Sequence, residues 1–471
     1  MKFGKNLVVF SALLVLTGCM TMFRAQQAQQ TLSGKGAGEA VVSAKVDLSD
    51  YSLRELVAFA MTNRPSMAAA ALAVADARLA LREIAADAPL VSGSPWNSPR
   101  LSVSGGYSAA SASDSRLRWR TDGNASAGLS LDILLYDFGR NNARANQQVE
   151  NVIASEYDLI REGYAVFEDV SLAYFNLMEK DALLAVALTN ETENAIHLQQ
   201  AEYRLSAGEA QKLDVTRAKL ELSQARENTI VASNEMVIAG AELMKALGLD
   251  AAKGGRDAVY PSNGRALAEA LRGFADTGYG LDEAYDLART NSPAMAIARA
   301  RLRAASHAVD YAVADLMPSV SASVGISWAD PLWAWHWGVS AAQSLFQGFR
   351  KVTAVDRAVV AMHEAAVAVD EAEQRLSLDL EAAIATRDNA VKKRDTARAS
   401  VLNAREDLAM VKAQYLEGEA SRVDFTVSVS SYATALGSRV KAFYAGQRAE
   451  AVLFGLLGRV PEYREETVKE N

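Results

Sequence analysis

The sequence is poor in the residues that most often do chemistry. It holds one cysteine in 471 residues, which excludes an internal disulfide framework and any cysteine-based metal cluster. Its four histidines, His197, His307, His336 and His363, are scattered and offer no zinc or haem spacing. Basic charge is also short: 49 Lys and Arg against 57 Asp and Glu give a net charge of −8, which argues against nucleic acid as a partner. Beyond the extreme N-terminus no apolar run is long enough for a spanning helix, which needs about 18 residues or more. There is no nucleophile–base pair, and Gly34, Gly36 and Gly38 have no flanking strand that would make them a phosphate loop. Together these absences favour a protein that is not an enzyme and needs no cofactor. Half the residues are hydrophobic, ample for a real core.

The single cysteine is placed informatively. Lys2 and Lys5 precede an apolar run from Leu7 to Leu16, the length of a signal-peptide core. The run ends Leu16-Thr17-Gly18-Cys19, which resembles the lipobox of bacterial lipoproteins. That resemblance implies removal of residues 1–18 and acylation of Cys19. Two or more chains would anchor it stably, at about 0.8 kcal/mol per buried methylene. Met20 stands where an Asp would signal retention at the inner membrane, so the resemblance points outward. Residues 19–50 read as a polar tether.

The length suggests several domains, but the chain repeats itself. Leu53–Pro65 (LRELVAFAMTNRP) matches Leu281–Pro293 (LDEAYDLARTNSP), and Gly208–Thr216 (GEAQKLDVT) matches Gly418–Thr426 (GEASRVDFT). Leu135 against Leu345, Arg140 against Arg350 and Leu247-Gly248 against Leu457-Gly458 keep the offset of the second match. The reading is one duplicated unit: residues 51–250, a connector at 251–280, residues 281–460, and a polar tail at 461–471. Each unit begins with a helical stretch, Leu53 to about Ala88 and Leu281 to about Leu316. Two alternating segments follow, then a very long helix, a glycine-containing turn and a shorter helix. The long helices are expected over about Arg140–Leu205 and Arg350–Tyr415, each about 100 Å in length, as in a coiled coil or a tube. Ile153, Ile160, Phe167 and Tyr174 recur at seven.

The alternating segments, about 100–112, 124–136, 319–328 and 332–345, set small polar residues opposite apolar ones. Ser319–Trp328 reads SVSASVGISW, its apolar positions ending in Trp328, and Trp333, Trp335, Trp337 and Val339 share one face of the last segment. Such strands suit a membrane barrel, with the tryptophans at a lipid or interfacial surface; a soluble sandwich is the competing reading. Four strands cannot close a barrel, and an open edge in lipid leaves backbone groups unpaired. If the strands span a membrane, several copies must contribute. Three would give twelve strands and twelve helical columns.

This order, twice repeated, resembles the TolC-like outer membrane factor family over about residues 50–460. It is carried by the paired Asn-x-Pro starts, the junctions LYDFGR (Leu135–Arg140) and LFQGFR (Leu345–Arg350), and the two Gly-x-x-x-x-x-Asp turns. The resemblance implies an α+β membrane protein: a homotrimer with a 12-stranded β-barrel in outer membrane lipid and a long α-helical barrel in the periplasm. Its partners would be a periplasmic adaptor and an inner-membrane RND, ABC or MFS transporter, for efflux or type I secretion. The turns at about 204–214 and 415–424 become the periplasmic tip. Adaptor contacts fall on Arg204, Leu205, Ser206, Gly208, Glu209, Glu417, Gly418, Glu419 and Ala420. Gate residues fall on Asp214, Tyr415 and Asp424, the aspartates also fitting helix caps. Ala420 and Val427 depart from the family's lock, leaving Arg204, Lys212 or Arg422 to replace it. A periplasmic coiled-coil adaptor or scaffold lipoprotein is the alternative, but leaves the alternating segments unexplained.

Overall fold

A computed structural model of the chain describes residues 52–86, 100–113, 119–208, 211–249, 280–329, 332–417 and 419–459. Cys19, Glu209 and Gly418 lie outside the described residues, as do the signal segment, the tether, nearly all of the connector and the tail.

The first unit runs α1 (Leu53–Asn63), α2 (Pro65–Ala86), β1 (Arg100–Ser113), β2 (Trp119–Tyr136), α3 (Arg140–Ser206) and α4 (Lys212–Ala246). The second runs α5 (Leu281–Asn291), α6 (Pro293–Ala314), β3 (Ser319–Ala329), β4 (Leu332–Ala342), α7 (Arg350–Glu417) and α8 (Arg422–Leu457). The expected single helical stretch at the head of each unit is in fact two helices. Proline forbids the helical region to the residue before it, and Arg64 and Ser292 are extended, with ψ of 130° and 122°. Pro65 and Pro293 then open the next helix, where a missing N–H costs nothing. Strand β2 starts at Trp119, earlier than the apolar pattern suggests, because β1 and β2 stay paired out to Ser113 opposite Trp119. Strand β4 stops at Ala342, opposite Ser319; Pro318 precedes Ser319 and has no N–H to extend the ladder.

The helices form a wall of columns. Helix α3 has α2 and α4 on one side and α6 and α8 on the other, and α7 packs beyond α6 and α8. Every second column is thus two shorter helices placed along one long one. The outer columns leave apolar side chains uncovered: Leu72 and Leu79 on α2, Ile230, Val231, Val237 and Ile238 on α4, and Val352, Val360 and Val367 on α7.

Two cores hold the wall, and they are counterparts. In the first, Leu56, Ala60, Leu243 and Leu247 lose all solvent contact; in the second, Ala284, Ala288, Leu453 and Leu457 do. These are the repeated positions themselves, so the internal homology records a packing site used twice. The glycines that follow, Gly248 and Gly458, close α4 and α8 with φ of 77° and 63°. Each lies on the Asn-x-Pro turn of its own unit. A Cβ on Gly458 would stand 2.7 Å from the Asn291 carbonyl oxygen, and one on Gly248 would stand 3.1 Å from Arg64 Cα. Tyr164 also donates to the Gly458 carbonyl at 2.6 Å, tying α3 to the end of α8. Gly458→Ala should therefore lower stability by about 2 kcal/mol or more, against about 1 kcal/mol for Gly348→Ala, which shares the positive φ but has open space. Thermal unfolding of the detergent-solubilised protein checks the difference; equal losses would mean that the close approach at Asn291 is unimportant.

Candidate functional site

Functional geometry lies at two ends of the molecule, separated by the long helices. At one end the four strands form a single antiparallel sheet in the order β1-β2-β3-β4. The register assembles continuous rows. Leu101, Leu131, Val324 and Trp337 face one another across all four strands, as do Val103, Leu129, Ile326 and Trp335, and Trp328 lies opposite Trp333. The alternate rows read Arg100, Asp132, Ser323 and Gly338, and Ser102, Ser130, Gly325 and His336. One face is thus apolar and the other polar, because strand side chains alternate. Ser102 and Ser130 hydrogen-bond at 2.6 Å on the polar face. Gly325 is required there, since a Cβ would meet the His336 ring at 2.6 Å.

Among the described residues, no other element covers the apolar face. Leu101 is 66% exposed, Trp335 75% and Trp337 70%. An uncovered apolar area this continuous is a contact surface for something. No described helix is long and apolar enough to cross a membrane.

The strands enter the long helices through a built junction. Phe138 and Gly139 turn the chain with φ of 55° and 86°, and Gly348 and Phe349 do so in the second unit, at 59° and 62°. Buried Asp137 accepts from the Asn141 N–H at 2.7 Å and the Gly139 N–H at 3.2 Å, capping α3. Asp315, at the end of α6, meets Arg140 at 3.2 Å and Lys351 at 3.3 Å, so one carboxylate joins the starts of α3 and α7. Neither Asp137 nor Asp315 was singled out from the sequence; the Asp two residues after Leu135 was a signal for the first.

At the far end the two turns meet. Helix α3 ends with Gly208 at φ 80°, its N–H bonding back to the Leu205 carbonyl at 3.1 Å. Glu419 and Ala420 donate to the Gln414 carbonyl at 2.9 and 3.2 Å, closing α7. Asp214 accepts from the Gln211 N–H at 3.1 Å. Asp424 forms a reciprocal cap with Ser421: its carboxylate takes the Ser421 hydroxyl at 2.7 Å, and that hydroxyl takes the Asp424 N–H at 3.2 Å. Glu417 and Glu419 are exposed.

Between the turns stands a ladder of side chains. Arg204 on α3 donates to the Tyr415 hydroxyl at 3.1 Å, with its guanidinium carbon 5.0 Å from the ring centre. Tyr415 on α7 stacks on Phe425 of α8, centroids 5.1 Å apart and 11° between planes. His197 on α3 also packs on Phe425, ring centroids 4.8 Å apart and planes 84° apart. The tyrosine expected in the gate is thus held by Arg204. His197 and Phe425 were not picked out as site residues, although His197, Ala201 and Arg204 share one stripe of α3 by their spacing. A cavity of about 380 Å³ with a mixed polar and apolar lining lies beside the ladder, bordered by Leu183, Asn190, Asn194, His197, Glu221 and Phe425 among others.

A sheet with one bare apolar face, set on a wall of long helices, fits the class of membrane channel subunits. The protein-family comparison agrees: residues 56–249 and 284–459 match the outer membrane efflux protein model. The chain belongs to the outer membrane efflux protein family, and it is an efflux channel protein of the outer membrane, reaching into the periplasm. No curated protein matches it. Among solved structures, a membrane protein from Pseudomonas aeruginosa superposes with a TM-score of 0.74 at 22% identity, covering 90% of this chain and 98% of its own. CusC, studied for transmembrane channel formation, gives 0.73 at 20%, covering 90% and 96%. The open state of the Neisseria gonorrhoeae MtrE outer membrane channel gives 0.69 at 17%, covering 89% and 93%. These likenesses are of fold.

Proposed function

We propose that three copies of the chain close into one exit duct, with twelve strands in the outer membrane and twelve helical columns below. The observation that carries this reading is the sheet: apolar on one face, with β1 and β4 as edges that have no partner among the described residues. Such edges are prohibitive in lipid unless copies pair them. The uncovered apolar residues of α2 and α4 on one flank and of α7 on the other support the same head-to-tail ring. Trp328, Trp333, Trp335 and Trp337 then face lipid or its interface, and the serine rows face the lumen. Acylated Cys19 adds a lipid anchor.

The tip is the docking and gating end. Arg204, Leu205, Ser206, Gly208 and Glu209, with Glu417, Gly418, Glu419 and Ala420, form the surface for a periplasmic adaptor. That adaptor joins the duct to an inner-membrane RND, ABC or MFS transporter, which supplies the energy. Arg204 takes the place of the lock residue lost at Ala420, through its bonds to Tyr415.

The test is assembly and conduction. The purified protein should run as an SDS-resistant trimer and conduct ions in planar bilayers; a monomeric, non-conducting product would overturn the reading. Three Asp424 carboxylates around one mouth should favour cations. Asp424→Asn, which keeps a capping side chain, should lower the cation-to-anion permeability ratio measured from reversal potentials. An unchanged ratio would remove Asp424 from the mouth.

A further inference from the structure

The ladder at the tip contains one group that titrates near neutrality, and the fold partly buries it. His197 Nε2 is shut off from solvent and has no hydrogen-bond partner among the described residues. That arrangement suits a neutral ring, whose bare nitrogen needs no acceptor. A proton on Nε2 would create a charged donor that no described side chain or backbone group receives. The surroundings are mixed. Glu193 and Gln200 on α3 and Glu221 on α4 favour the charged ring, Lys412 on α7 opposes it, and α8 presents the Phe425 ring. Burial outweighs the carboxylates and holds the His197 pKa below its ordinary value.

We propose that His197 makes the clasp between the α3–α4 and α7–α8 hairpins sensitive to acid: a neutral ring seats against Phe425 and the clasp holds, whereas a proton on the ring favours parting. The proposal rests on reading this end as the gate. The linkage has a definite sign. When the hairpins part, His197 reaches water and titrates near its ordinary value, about 6.5. The parted state therefore binds protons more readily than the clasped one. The clasp keeps its full stability above that value and loses it as pH falls toward the lower pKa of the seated ring. The same residues transmit the change. Phe425 stacks on Tyr415, and Tyr415 holds Arg204, so unseating His197 removes a contact of the ring that supports the tyrosine.

Two readouts test this on the full-length protein in detergent and in bilayers. The first is amide hydrogen exchange in residues 190–208 and 411–425, corrected for the intrinsic pH dependence of exchange, at pH 7.5 and 5.5. Wild-type protection should fall several-fold at the lower pH. In His197→Gln and His197→Phe, which carry no titratable ring, protection should be independent of pH. Either variant suffices, provided that it keeps the wild-type oligomer by size-exclusion chromatography. The second readout is bilayer conductance, which should rise at pH 5.5 in the wild type alone. Equal pH responses of exchange in wild type and variants, or none in the wild type, would overturn the role of His197. A His197-dependent response in exchange with no conductance at any pH would instead overturn the duct reading and leave the acid-sensitive clasp standing.

Discussion

Val324→Arg should remove the protein from the outer membrane, whereas Ser323→Arg, one residue away, should leave it in place. Val324 lies in the apolar row between Leu131 and Trp337, on the uncovered face, and is itself exposed. If that face meets hydrocarbon, an arginine there costs about 2–4 kcal/mol near mid-bilayer, and the cost recurs in each copy of a closed barrel. Ser323 belongs to the polar row, between Asp132 and Gly338. An arginine there has a carboxylate beside it and space on the glycine side. The expected result is a loss of about tenfold or more in membrane-extracted oligomer for Val324→Arg, with near-normal yield for Ser323→Arg. Unheated gel electrophoresis of outer membrane fractions reads both. Equal yields would mean that the two faces do not see different media.

Tyr415→Ala should open the tip. The substitution deletes the stack on Phe425, the partner of the Arg204 guanidinium and the hydroxyl that accepts from it. Aromatic pairs contribute about 0.5–1.5 kcal/mol, and a cation over a partly exposed ring about 0.5–1 kcal/mol. With the hydrogen bond discounted for exposure, the clasp loses about 2 kcal/mol per copy. On the duct reading that is enough to raise bilayer conductance several-fold. Tyr415→Phe keeps the stack and loses only the hydroxyl, so its increase should be smaller. If Tyr415→Ala conducts like the wild type, the ladder is only packing.

Much of this architecture is legible because its signals are local and long. The periods of α3 and α7 persist over 67 and 68 residues, and the strand alternation fixes which face each side chain takes. The Asn-x-Pro and Leu-Gly matches between units are legible as repetition, but their reason is not. Only the fold reveals that each Leu-Gly end rests on the Asn-x-Pro turn well over a hundred residues before it. The same proline was readable as a break between α1 and α2, yet apolar periodicity on both sides hides it. At the tip, Arg204, Tyr415 and Asp424 could be named from the turns they flank. His197 and Phe425 could not, because a histidine within a polar helix stripe carries no sign of a ring more than two hundred residues away. Asp315 escapes for the same reason: its two partners, Arg140 and Lys351, lie in different units.

The seam between β2 and β3 has a consequence for how such a ring is made. Strands β1 and β2 come from the first unit and β3 and β4 from the second, so β2–β3 is where one unit meets the next within a chain. A ring of separate single units would have to find every seam by diffusion, among dilute and aggregation-prone partners with bare strand edges. Here every second seam joins segments on one chain, at the high effective concentration that a covalent link provides. On the trimer reading, duplication thus halves the number of seams that separate chains must find, and it halves the number of exposed edges awaiting a partner while the barrel forms.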